Sequence, residues 1–194
     1  MNEQVEKTET KLAEPREKSE FIKELEKLAK RKDRAALAHL RSGLRRKDSR
    51  STEMYPVIGR FLSEKTNRSY ENAVFIVAAL FAYYPDAKTN AGNLGASLRQ
   101  LKDDSDSIEK RFVALLNAEA DELPDYLRQI IGLLKSKEIP VNWQQLFKDV
   151  QYWETTDETS KRESVQKRWA RSFWGSYSNE NNQDKQENSK GENL

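Results

Sequence analysis

The chain has 194 residues, with 34% charged and 36% hydrophobic side chains and a formal net charge of +2, proportions that suit one folded domain with polar ends. It contains no cysteine, which excludes a disulfide framework, a thiolate metal site and a cysteine nucleophile. Its longest apolar run, AVFIVAALFAYY over residues 73–84, is too short to cross a bilayer, and the polar start has no signal-peptide core, so a cytoplasmic protein with no membrane contact is the expectation.

The small net charge hides a pattern. Over residues 30–50 nine Lys/Arg stand against two Asp, and over residues 161–171 five Lys/Arg stand against one Glu. Residues 1–29 and 176–194 are each net −2. Cations gathered in two segments point to an anionic partner, although solvated helix faces give the same pattern.

Along the chain the pattern is helical throughout. Period-2 alternation is absent and β-branched residues do not cluster, so no strand is expected. Residues 1–18 form a polar tail. Phe21, Ile22, Leu25, Leu28 and Ala29 then follow helical spacing. Asp33 is placed to cap a second helix running through Leu44, with Gly43 near its end. MYPVIGRFL (54–62) predicts a short helix with Pro56 in its first turn. Ser69 is the expected N-cap of the next helix, residues 70–84. That helix is apolar nearly all round and belongs at the centre of a bundle, and Pro85 ends it. After a loop over 85–92, helices are expected over 93–101, 107–118, 124–135, 142–153 and 161–174. Pro124 lies in a first turn and Pro140 breaks the chain between two of these helices. Residues 176–194 carry one aromatic and no packing face, which predicts a disordered tail. The expected layout is therefore a tail over 1–18, one domain over 19–175 and a tail over 176–194. The fold class is all-α, a single compact helical bundle.

Two glycines stand three residues apart in NAGNLGASLRQL (90–101), in a chain with only 7 glycines. Gly92 can make the turn out of the loop, Asn93 can cap the helix, and Gly95 can let its first turn approach a neighbour closely. The alternative is that the open N–H groups of this helix start receive a phosphate. Leu94, Leu98 and Leu101 tie the segment to the core and leave Arg99 on another face.

Catalytic chemistry has little to work with. His39 is the only histidine, with no partner for a metal pair or a proton relay. No phosphate-cradling G-x-x-x-x-G-K-[ST] loop and no G-x-S-x-G elbow is present. Asp103–Asp104 and Asp121–Glu122 sit near helix starts, where they favour the macrodipole. No catalytic residue, metal site or cofactor is expected.

Helix faces give a sharper signal. At about 100° per residue, Arg34, Arg41 and Arg45 fall on one line of the second helix, beside an inward line of Leu37, Leu40 and Leu44. Leu127, Ile130, Ile131 and Leu134 form a core face, and Arg128 and Lys135, one heptad apart, are aligned with each other. In the last helix Val165, Trp169 and Phe173 point inward, and Lys167, Arg168 and Arg171 point the other way. Such lines suit a phosphate backbone, because each contact releases condensed counterions; no base-reading element accompanies them. Trp143, Phe147, Trp153, Trp169 and Phe173 take core positions.

YPVIG (55–59), NLGASLRQL (93–101), IEKRFVALLNA (108–118), LPDYLRQIIGLLK (123–135), VNWQQLF (141–147) and VQKRWARSFW (165–174) occur in that order. As an ordered set they resemble the small subunit of the type I-E CRISPR Cascade surveillance complex, the CasB family, over about residues 20–175. The resemblance implies an all-helical, non-enzymatic subunit in antiviral defence. Two copies of it lie head to tail in a crRNA-guided complex, contact other Cascade subunits, and hold an R-loop through both the target and the displaced DNA strand. Guide pairing reads the sequence, so the subunit needs only to grip backbone. By motif, the implied nucleic-acid-binding positions are Arg99, Lys110, Arg111, Arg128, Arg168 and Arg171, with Lys161 and Arg162 as a basic pair before the last helix. Arg34, Arg41 and Arg45 rest on the face argument. Arg111 can equally pair with an acid such as Glu119 or with a helix C-terminus. A helical adaptor that binds only protein partners remains the alternative. Replacing Arg128 and Arg168 with Ala is expected to weaken binding and leave helicity unchanged.

Overall fold

A computed structural model describes residues 18–86, 88–102, 106–154 and 163–175. The two expected tails, apart from Lys18, lie outside these residues. Within them the fold is all-α, with no strand. Its helices are α1 Glu20–Arg31, α2 Arg34–Arg41, α3 Tyr55–Ile58, α4 Arg68–Tyr83, α5 Leu94–Arg99, α6 Asp106–Leu116, α7 Leu123–Ser136, α8 Trp143–Gln151 and α9 Val165–Trp174.

The helix starts are written into the sequence as short polar side chains that accept from the first orphan N–H groups. Asp33 accepts from Ala36 N at 3.0 Å, Asn93 from Ala96 N at 3.1 Å, Asn142 from Gln145 N at 3.0 Å, and Ser164 from Lys167 N at 3.2 Å. Each such cap is worth about 1 kcal/mol. The start of α4 differs from expectation: Asn67, not Ser69, is the cap, accepting from Tyr70 N at 2.8 Å. A cap two residues earlier lets Arg68 and Ser69 join the first turn.

α4 is the axis of the bundle. Every residue from Ala73 to Ala82 is buried, and the helix packs against α1, α2, α7 and α8. Alanines at 73, 78, 79 and 82 keep its surface thin, so neighbours approach closely, while Phe75 and Phe81 fill the gaps. Phe81 meets Trp143 of α8 edge-on at 5.4 Å. One turn further along α8, Phe147 contacts Phe21 of α1 at 4.9 Å. Full burial of each such side chain contributes about 1.5–3 kcal/mol.

The second helix is shorter than its leucine spacing suggests. α2 ends at Arg41, and a 3-10 turn, Ser42–Arg45, follows. Gly43 is the cause: a Cβ there would lie 2.6 Å from Ser49 O and 2.8 Å from Met54 Sδ. The chain is pressed against its own returning loop and tightens. Arg45 therefore does not share a helix with Arg34 and Arg41, and the expected three-arginine line breaks after its second member.

A second subassembly holds α9. α5 packs on α9 at Gly95, where an added Cβ would stand 2.2 Å from the Trp169 carbonyl oxygen. Gly92 adopts φ +69° in the turn before α5, and Asn93 Nδ2 donates to Ser172 Oγ at 2.9 Å. These two glycines thus do what the turn and packing reading expects. Phe112 of α6 packs on Phe173 at 4.5 Å, and Trp174 Nε1 donates to Glu109 Oε1 at 3.1 Å. No helix among the described residues is long and apolar enough to cross a membrane.

Candidate nucleic-acid interface

The structure divides the nominated cations into two chemical kinds. Arg34 and Arg41 on α2, Arg99 at the end of α5, and Lys110 and Arg111 on α6 are exposed. None of these five has an ion-pair partner among the described residues. Glu119, the acid suggested for Arg111, is exposed and forms no ion pair with it. Lys161 and Arg162 lie outside the described residues.

The remaining four are engaged. Arg45 Nη2 holds both oxygens of Glu53, at 3.1 and 3.2 Å. Arg128 is half-buried; its Nη1 donates to Asp125 Oδ1 at 2.7 Å and its Nη2 to the Arg46 carbonyl at 3.1 Å. It thereby staples α7 to the segment after α2. Lys135, aligned with it on α7, is also tied down, donating to the Tyr83 carbonyl at 2.9 Å and lying 4.0 Å from the Tyr83 ring centre. Arg171 is exposed and pairs with Glu163.

Arg168 departs furthest from its expected place. Instead of pointing away with Lys167 and Arg171, its Nη2 donates to Asp149 Oδ1 at 2.7 Å and its Nη1 to the Glu163 carbonyl at 2.7 Å. Asp149 is 1% exposed. Its other oxygen accepts from Trp169 Nε1 at 2.6 Å, and Gln145 Nε2 donates to Oδ1 at 2.9 Å. A buried carboxylate is tolerated only when its lone pairs are filled, and three donors from α8 and α9 fill them here. Sequence reading passed over Asp149. The available signal was an acid three residues after Leu146, on the side of α8 that otherwise carries core residues.

It follows that Arg168→Ala is not a pure charge probe. Removing it leaves a buried carboxylate with one donor fewer, a loss of the class that costs about 3–5 kcal/mol when both partners are fully buried. Arg168 is 37% exposed along its side chain, which brings the expectation down to about 2 kcal/mol. A melting curve of the variant, read at Trp fluorescence, checks it; an unchanged midpoint would rule out the role.

Packing sorts the cations into two neighbourhoods. α2, the turn after it and α7 carry Arg34, Arg41, Arg45 and Arg128, joined where Arg128 meets Arg46. α5, α6 and α9 carry Arg99, Lys110, Arg111, Arg168 and Arg171, joined through Gly95–Trp169 and Phe112–Phe173. His39 is exposed, and among the described residues no group of three His, Cys, Asp or Glu side chains could hold a metal ion. The arrangement offers exposed positive charge on rigid helices and several arginines spent on holding those helices together.

The family model for CRISPR-associated protein Cse2 matches residues 36–174. A curated CRISPR-associated protein Cse2 of Thermus thermophilus is 31% identical over 132 residues, covering 68% of this chain and 73% of that protein. Among solved structures, a Cse2-family protein from the same organism is 29% identical with a TM-score of 0.69, over 80% of this chain and 96% of that one. A chain from the structure of a CRISPR RNA-guided surveillance complex is 26% identical with a TM-score of 0.62, over 79% and 88% respectively. The family match runs from within α2 to the end of α9 and includes the described cations of both neighbourhoods except Arg34: this chain belongs to the CRISPR-associated Cse2 (CasB) family.

Proposed function

We propose that the protein is a non-catalytic structural subunit of a crRNA-guided type I-E (Cascade) complex in antiviral defence, and that it steadies an R-loop by gripping nucleic-acid backbone without reading sequence. The observation that carries this is the set of five exposed cations, Arg34, Arg41, Arg99, Lys110 and Arg111, with no acid partner among the described residues. Arginine and lysine held on helices but left unpaired are suited to phosphate, and the gain comes from released counterions. The similarity to a chain of an RNA-guided surveillance complex supports membership of such an assembly. In this reading the target strand stays paired with the guide, the displaced strand lies along the exposed cations, a second copy sits beside the first, and other Cascade subunits meet the remaining faces.

Binding of the full chain to labelled single- and double-stranded DNA, titrated across salt, tests the reading. The logarithm of affinity is expected to fall linearly with the logarithm of salt concentration. Assembly into the complex without measurable DNA affinity would point instead to the adaptor that binds only protein.

A further inference from the structure

We infer that Asp149 is a positioning residue: from inside the bundle it sets the rotation of α9, and so the direction in which Lys167 and Arg171 are presented to phosphate. The inference rests on the nucleic-acid reading above and adds to it a residue that touches no ligand.

The geometry is specific. At about 100° per residue, Lys167 and Arg171 come within about 40° of each other and straddle the line opposite Trp169. Whatever fixes the Trp169 side of α9 therefore aims these two cations. Phe173 on Phe112 and Ser172 under Asn93 help to hold this side, and three contacts meet Trp169 itself. The Trp169 backbone abuts Gly95, the indole packs against Trp153 at a 52° tilt with ring centres 5.1 Å apart, and the indole N–H donates to Asp149. The first two are packing contacts without the directionality of a hydrogen bond. The third is a directional bond between two buried groups, and Arg168, next to Trp169 in sequence, donates to the same carboxylate. Two successive residues of α9 held by one carboxylate of α8 leave little freedom to turn about the helix axis.

Charge alone predicts the opposite of this role, which makes the test decisive. Asp149→Asn removes a negative charge and frees Arg168, so simple electrostatics expects nucleic acid to bind more tightly. The positioning role expects weaker binding. The amide has one acceptor oxygen for the three donors, and its own N–H groups face other donors, so Trp169 or Arg168 loses its anchor.

The experiment uses the full chain in four forms: wild type, Asp149→Asn, Lys167→Ala with Arg171→Ala, and all three substitutions together. Each is titrated with salt against a fluorescein-labelled single-stranded oligonucleotide. The indole N–H resonances, one per Trp among the 4 in the chain, report separately on the Trp169 hydrogen bond. Two lost single-strand contacts lower the log–log slope by about 1.4. Asp149→Asn is expected to lower it as far as the double substitution does, with a shifted Trp169 indole resonance, and the triple form is expected to lose nothing more. Binding by Asp149→Asn as tight as wild type, or tighter, overturns the inference; so does a further loss of slope in the triple form, because the effect then does not pass through the α9 cations. If Asp149→Asn does not fold, Trp169→Phe takes its place: it keeps an aromatic ring in the core while deleting the indole donor together with the five-membered ring, and a wild-type slope in it overturns the inference. Wild-type protein with no salt-dependent affinity is a different result, which overturns the nucleic-acid reading itself.

Discussion

Gly95→Ala is expected to destabilise the protein by about 2 kcal/mol, whereas the same change at Gly132 is expected to stabilise it. Both glycines are helical, so both substitutions gain the helix propensity of alanine, about 1 kcal/mol. They differ in what the new methyl group meets. At Gly95 it would stand 2.2 Å from the Trp169 carbonyl oxygen, 2.8 Å from the carbonyl carbon and 3.0 Å from Cα. All three are backbone atoms of α9, and no rotamer change can move them. α5 and α9 must separate, a cost at the upper end of the 1–3 kcal/mol typical of overpacking. At Gly132 the nearest atom is the Tyr83 hydroxyl at 3.6 Å, an ordinary contact. With one kcal/mol worth about 2–4 °C in a domain of this size, the melting midpoint is expected to drop by about 4–8 °C for Gly95→Ala and to rise by about 2–4 °C for Gly132→Ala. Equal shifts of the same sign in differential scanning calorimetry would remove the close approach at Gly95 as an explanation for that glycine.

The contrast between these two glycines also marks what the sequence could reveal. Local signals were legible. Asp33 and Asn93 cap the helices they were expected to cap, Pro85 and Pro140 fall between helices, and the apolar band of α4 lies at the centre. These features depend on a few neighbouring residues, which a single chain displays. The leucine faces were legible for the same reason. Cations were harder to read, because periodicity gives the direction in which a side chain leaves its helix but not what it finds there. Arg168 leaves α9 beside Lys167, yet its long side chain turns back to a carboxylate 19 residues away in sequence. Arg45 loses its helical neighbours because Gly43 is squeezed by Ser49 and Met54, a contact no helical wheel contains. The paired and unpaired arginines have the same sequence signature; only the fold separates them.

That separation makes the strongest prediction about binding. Replacing together the five cations that have no acid partner among the described residues, Arg34, Arg41, Arg99, Lys110 and Arg111, with glutamine is expected to lower the salt slope for single-stranded DNA by about 3.5, at about 0.7 per contact. Between 50 and 200 mM salt the lost contacts account for about a hundredfold change in affinity, and that part of the salt response is expected to vanish. Folding is expected to stay nearly unchanged, because exposed side chains without partners contribute within about 0.5 kcal/mol each. Replacing the engaged set, Arg45, Arg128, Arg168 and Arg171, is expected to behave in the reverse way. Arg128 and Arg168 hold α7 and α9 in place, so the melting midpoint falls first, and the slope falls only as far as Arg171 and the displaced helices contribute. Five neutralised surface cations and four neutralised structural ones change net charge by nearly the same amount. An interaction governed by overall charge would respond to the two sets alike, whereas one made by particular exposed groups responds to the first through the salt slope and to the second through stability. Matching slopes for the two variants, both still folded, would remove the assignment of phosphate contacts to these five residues.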